Sequence, residues 1–238
     1  MSEPGASAPA TPRQPADEAD PANRSAVVDL LGVLAYAELI AFSRLASDAD
    51  LAPSLSAKAE LARLAVTEFR HFELVRGRLE AMSTDADAAM EPFVAPLDAF
   101  HERTAPQTWL EGLVKAYVGD GIARDFYREI SAFLDPGTHE LVTTVLADDG
   151  HAEFVLREVR QAIEADPRVS GRLALYARRL VGEALSQAQR VAADRDGLTA
   201  LLVGSVPGAG ADLAELVRMF GRITEAHSRR MQLLGLSS

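Results

Sequence analysis

Residues 67–75 read TEFRHFELV, and the company kept by one acid in this run decides the fold. On a helix, the positions three, four and seven residues either side of a core-facing residue are themselves core-facing. For Glu68 these are Leu61, Leu64, Ala65, His71, Phe72 and Val75. All are apolar except the histidine at i+3. For Glu38 they are Leu31, Leu34, Ala35, Ala41, Phe42 and Leu45, without exception apolar. For Asp148 they are Leu141, Thr144, Val145, His151, Ala152 and Val155, again with a histidine at i+3. Asp120 has Leu113, Ala116, Tyr117, Ala123, Arg124 and Tyr127, a looser version of the same stripe.

Burying one unpaired carboxylate costs several kcal/mol, comparable with the whole stability of a small domain. Four on core stripes need a shared explanation. A pair of divalent cations supplies one, because it neutralises the acids and takes two imidazoles as end ligands. An acid and a histidine at i and i+3 point the same way from one helix. The pattern occurs twice: Glu38 is followed by Glu68-x-x-His71, and Asp120 by Asp148-x-x-His151. The local strings echo as well, ELIA (38–41) against DGIA (120–123) and EFRHFEL (68–74) against DDGHAEF (148–154). The candidate metal ligands are therefore Glu38, Glu68, His71, Asp120, Asp148 and His151, holding two metal ions, iron or manganese.

Working outward, the periodicity predicts an all-α, ferritin-like four-helix bundle. Its helices are expected over about 24–46, 53–82, 106–134 and 136–165, with two additional C-terminal helices over about 167–194 and 211–234. Pro53 suits a first helical turn, and Gly137 or Thr138 a cap. Short loops join helices one to two and three to four. Residues 83–105, with a short helical piece around Phe93, Leu97 and Phe100, form one long crossover, which is ferritin-like connectivity rather than a simple up-down bundle. Residues 1–23, rich in Ala, Pro, Ser and Asp, are expected to be a disordered tail. The bundle and fifth helix then span 24–195, and a linker with the last helix spans 196–238.

Composition narrows the function. There is no cysteine, which excludes disulfides, thiolate metal sites and cysteine nucleophiles. The net charge is −11, from 24 basic and 35 acidic residues, so the average field repels nucleic acid and anionic membranes. No apolar run is expected to span a membrane, no signal-peptide pattern is seen, and a cytoplasmic setting is the default.

Plainer readings stand beside the metal reading. Glu38 could be a core glutamate paired with an arginine, and Arg124 could neutralise Asp120 as an ordinary i,i+4 pair. Asp125, the competitor of Asp120, falls on a polar face. Glu73 and Glu153 point outward, and His101, His139 and His227 have no acid at ligand spacing. Tyr36 and Tyr117 are core packing or line a substrate side.

The strings LLGVLAYAELIAFSRLA (30–46), EFRHFELV (68–75), WLEGLVKAYVGDGIARDFYREI (109–130), DDGHAEF (148–154) and RRLVGEALSQAQRVA (178–192) resemble the actinobacterial ferritin-like proteins grouped with tRNA 2-methylthio-isopentenyladenosine hydroxylases. The likeness runs over about 26–193. It implies a non-haem diiron centre that uses dioxygen to hydroxylate a modified adenosine, with Glu38, Glu68, His71, Asp148 and His151 as ligands and an electron donor as partner. The chain has Asp120 and Asp148 where those hydroxylases have glutamates. Its partner would be tRNA, met by Arg172, Arg179 and Arg190 on helix five, or a small-molecule substrate. The competing reading is a non-catalytic or single-metal protein whose extra helices mediate assembly into a homo-oligomer. Cage-type iron storage suits the two extra helices less well.

Overall fold

The computed structural model describes residues 21–131, 134–147, 151–195, 198 and 209–237. Among the described residues there is helix and no strand. Helix α1 (Pro21–Asp48) and helix α2 (Leu55–Ala81) form the first hairpin. They are linked by the 3₁₀ turn Ala49–Leu51 and by Ser54, whose hydroxyl caps α2 by accepting from the Ala57 N–H at 3.2 Å. The helix thus begins after Pro53 rather than on it, and α1 begins at Pro21, inside the stretch expected to be tail. The rest of that tail, residues 1–20, lies outside the described residues.

The crossover is more regular than expected: α3 (Ala86–Arg103) is a full helix despite Pro92 and Pro96. It crosses α1 at Gly32, where a Cβ would lie 2.2 Å from the Ala89 carbonyl oxygen. The third bundle helix is a composite of α4 (Trp109–Val114), a π-helical turn (Lys115–Gly119) and α5 (Asp120–Ser131). Thr108 caps it by accepting from the Glu111 N–H at 3.3 Å. A π turn adds a residue to the helix and rotates everything beyond it, a distortion frequent at functional sites. Asp120 is the first residue after it.

The fourth bundle helix departs from the expected single run. Asp135, not Gly137 or Thr138, caps α6 (Pro136–Val145) by accepting from both of their N–H groups at 3.0 and 3.1 Å. That helix ends in a tightened turn, with the Ala147 N–H reaching the Thr144 carbonyl at 3.2 Å, and α7 (His151–Ala165) starts afresh. In the sequence this turn is followed by two aspartates and Gly150, residue types of low helix propensity. The chain continues as α8 (Arg168–Asp194) and α9 (Ala209–Leu234). The proposed linker 196–210 lies almost wholly outside the described residues.

The core divides into two apolar layers. One holds Leu30, Leu34, Phe72, Leu79, Ile130, Val142 and Val145. The other holds Leu45, Leu61, Leu64, Leu113, Val118, Phe154, Val155 and Leu180. On α1 the division falls between Ala35 and Leu45, on α2 between Ala65 and Phe72, and on the third helix between Val118 and Tyr127. Glu38, Glu68 with His71, and Asp120 sit in those intervals. On the fourth helix the division falls between Leu146 and Phe154, the interval that contains Asp148 and His151.

One expectation about α1 is corrected. Residues 23–51 form a helix long and apolar enough to cross a membrane by length and composition, with mean hydropathy 1.8 over its most apolar window. More than half of that window, 56%, is buried against other helices, and Glu38 is on its inner face.

Candidate metal centre

Glu38, Glu68 and His71 converge between the two apolar layers. One donor atom from each can be chosen so that all lie within 4.8 Å of one another. Their relative exposures are 8, 4 and 7%, so the cluster is buried between the helices. His71 Nδ1 lies 3.6 Å from Glu38 Oε2 and 3.6 Å from Glu68 Oε2. Glu38 Oε2 makes no hydrogen bond among the described residues. The electrostatics follow from this crowding. Burial pushes the Glu38 carboxyl well above its ordinary range, and the neighbouring Glu68 and Asp120 carboxylates push it further, against the pull of His71. Burial alone would pull the His71 imidazole down, but Glu38 and Glu68 outweigh it and lift it to about 10.

Asp120 faces the same region, close enough for its charge to act on Glu38. Burial raises its carboxyl to about 7, opposed first by Arg124 and reinforced by Glu68. Its side chain keeps 37% accessible surface and lines a partly open cavity. Arg124 Nε holds Asp120 Oδ2 at 2.8 Å, the i,i+4 pair foreseen as the plainer reading. Asp148 lies outside the described residues, as does the side chain of His151.

Other expectations resolve simply. Glu73, Glu153 and His139 are exposed, and His139 Nδ1 sits 2.8 Å from the Ser131 carbonyl. Asp125 is not on a solvated face. It pairs with Arg230 of α9 at 2.7 Å, both side chains only 14% exposed, across Gly121, where a Cβ would lie 2.6 Å from Arg230 Nε. Tyr36 donates to Asp98 Oδ1 at 2.7 Å.

A cavity of about 1060 Å³ adjoins the cluster, lined mostly by apolar side chains together with Glu38, Glu68 and Asp120. Tyr127, buried and facing this cavity, has its phenol pushed up by burial and by the charges of Glu38 and Asp120. It was missed as a site residue because an apolar-stripe test counts tyrosine as packing. At the far end the cavity meets Arg44, Asp48, His101 and Lys115. The same stripe test would have found Asp48, whose neighbours at i±3, i±4 and i±7 are apolar apart from Arg44.

The donor set fits a hard or borderline divalent cation, which takes oxygen and imidazole ligands. Two donors on one such ion at about 2.1 Å stand roughly 3–3.5 Å apart, near the 3.6 Å separations found. Glu38, Glu68 and His71 would hold one ion.

A helical bundle with one crossover helix, dividing its core around buried acids and an E-x-x-H pair, defines a ferritin-like protein. The family comparison agrees. Residues 21–205 match the family described as the ferritin-like domain of actinomycetes, and the chain belongs to that family. No curated protein matches the chain. Among solved structures, it is similar to "Protein 19 with aldehyde deformylating oxidase activity" from Synechococcus, with a TM-score of 0.64 and 21% identity over 92% of this chain and 99% of that chain. A likeness at that identity establishes the shared fold.

Proposed function

We propose that the protein is a dinuclear metal oxidase or hydroxylase of the diiron type, acting with dioxygen on a small, largely apolar substrate held in the bundle cavity. The observation that carries this reading is the buried convergence of Glu38, Glu68 and His71, two of which, Glu38 and Glu68, line that cavity. A bound iron pair would supply activation of dioxygen, with two electrons from a separate donor. The chain itself contributes a dry site that keeps water from the reacting centre, acids that balance the ionic charge, and a cavity that positions the substrate. The aldehyde deformylating oxidase activity named for the Synechococcus protein is compatible with this class. Hydroxylation of a modified tRNA base is the finer alternative suggested by the sequence. It is favoured less, because the net charge is −11 and because Arg179 donates to the Arg103 carbonyl. Arg172 and Arg190 are exposed and would have to carry the phosphate contacts.

A single-metal, non-catalytic site is the second reading, and the Asp120–Arg124 pair at 2.8 Å favours it. Anaerobic titration with ferrous iron, followed by admission of air, separates the two. About two iron per chain with oxygen uptake and a new near-ultraviolet absorbance supports the oxidase. One iron without oxygen uptake supports the second reading, and no iron sinks both.

A further inference from the structure

Four polar side chains meet at the end of the cavity away from the acid–histidine cluster. Arg44 and Asp48 come from α1, His101 from α3 and Lys115 from the π turn. Lys115 is one of only two lysines in a chain that otherwise uses arginine, and it is 7% exposed. Its ammonium reaches the His101 carbonyl at 3.4 Å and lies 5.6 Å from the centre of the Phe100 ring. The charges of these groups act on one another. Burial and then Lys115 and Arg44 depress the His101 imidazole to about 3, so it is neutral. Burial pulls Lys115 down to about 8 against the pull of Asp48.

Yet no ion pair within 4 Å joins Arg44 or Lys115 to Asp48, and the buried His101 Nδ1 has no hydrogen-bond partner among the described residues. Buried Lys115 and Arg44, which stands at the exposed edge of the pocket, present two cations to this end of the cavity against the single carboxylate of Asp48. Buried polar groups are ordinarily satisfied, and those that are not need a reason.

We infer that Arg44, His101 and Lys115 form the head-group pocket for a singly anionic, carboxylate-type amphiphile whose apolar body runs along the cavity toward Glu38 and Glu68. The two ends are spaced for this. Asp48 lies ten residues beyond Glu38 on α1, roughly 15 Å along the axis at 1.5 Å per residue. Lys115 precedes Asp120 by five residues, roughly 7 Å on the same measure. Between the ends the wall is small and apolar, with Ala41, Leu45, Leu97 and Ala116. The head group is therefore held roughly 10 Å from the acid–histidine cluster, and the carbon facing that cluster lies well down the apolar body rather than next to the anion. The position of reaction rests on the proposed reading of the cluster; the anion pocket does not.

Calorimetric binding of octanoate, 1-octanol and octylamine to the full-length protein tests the pocket, with iron content measured on the same samples. Octanoate should bind at least about tenfold tighter than octanol, the worth of one charge-assisted contact, and octylamine more weakly than either. Arg44→Gln, at the exposed edge of the pocket, and Lys115→Met should each remove about tenfold from octanoate and leave octanol unchanged. Asp48→Asn, which removes the competing carboxylate, should tighten octanoate. Equal affinity for octanoate and octanol, or octanoate binding indifferent to Arg44→Gln and Asp48→Asn, overturns the inference. Selective octanoate binding by protein that takes up no iron leaves the pocket standing and removes the oxidase reading instead.

Discussion

The Nδ1 atom of His71 on α2 stands 3.6 Å from Oε2 of Glu38 on α1, a separation too long for a hydrogen bond and suited to two ligands sharing one ion. The two helices are held in this register by apolar layers on both sides, so the polar pair cannot relax by opening the hairpin.

Metal removal should therefore be felt as instability. An ion present at a hundred times its dissociation constant adds about 2.7 kcal/mol, which for a chain of this size corresponds to a melting shift of roughly 5–10 °C. Chelation of iron-loaded protein is expected to lower Tm by that amount. In Glu68→Ala the shift should shrink to near zero, because the variant has lost a ligand and also one of the repelling acids. An unchanged Tm on chelation of protein verified to contain metal would count against a buried site.

Asp120 separates one ion from two. Asp120→Ala is expected to keep an ion on Glu38, Glu68 and His71 and to lose the second, so that elemental analysis falls from about two metals per chain to about one. A ratio of one in both proteins would mean that Arg124 keeps Asp120 as an ion pair and that the single-metal reading holds.

Much of this was legible in the sequence. Glu38 and Glu68 stood out because every neighbour on their stripes is apolar apart from the histidine at i+3 of Glu68, and burial of an acid is costly enough to make that pattern informative. The helix from Leu55 followed from the same periodicity. The break after Val145 was not legible, since the apolar spacing of Val142, Val145 and Val155 runs straight through it. The pairing of Asp125 with Arg230 was invisible for a different reason. It joins residues more than a hundred positions apart, and the local neighbours Arg128 and Glu129 signalled a solvated face. Lys115 was overlooked because a π turn shifts the register that an α-helical count assumes.

Two glycines should respond differently to the same change. At Gly32 an added methyl would meet the Ala89 backbone, with the carbonyl oxygen 2.2 Å away, and neither helix can yield without repacking. Gly32→Ala is expected to cost about 1–3 kcal/mol, lowering Tm by several degrees. At Gly121 the obstacle is the Arg230 side chain, which can swing aside at the loss of its 2.7 Å pair with Asp125. Gly121→Ala should cost less, and in an Arg230→Ala background it should cost nothing. Thermal melts of the two variants and the double variant check the order, and equal losses at both glycines would contradict the close α1–α3 approach.

Acid stability should carry the signature of His101. In the folded protein burial, then Lys115 and Arg44, hold its imidazole down to about 3, whereas an unfolded histidine titrates near 6.5. Both charged groups that act on it, Lys115 and Arg44, disfavour the protonated ring. Because the folded value is the lower one, the unfolded chain binds the extra proton first. Stability is therefore undiminished above about pH 6.5 and is lost progressively as the pH falls toward 3, by up to about 1.4 kcal/mol per pH unit from this group. His101→Gln cannot take up that proton. Its denaturation midpoints should fall less steeply between pH 6 and pH 4, by close to one proton's worth of slope, while the carboxylates contribute alike in both proteins. Urea titrations across that range decide the matter, and parallel acid limbs for the two proteins would show that His101 is protonated in the fold and that the cation cluster around it is not closed to water.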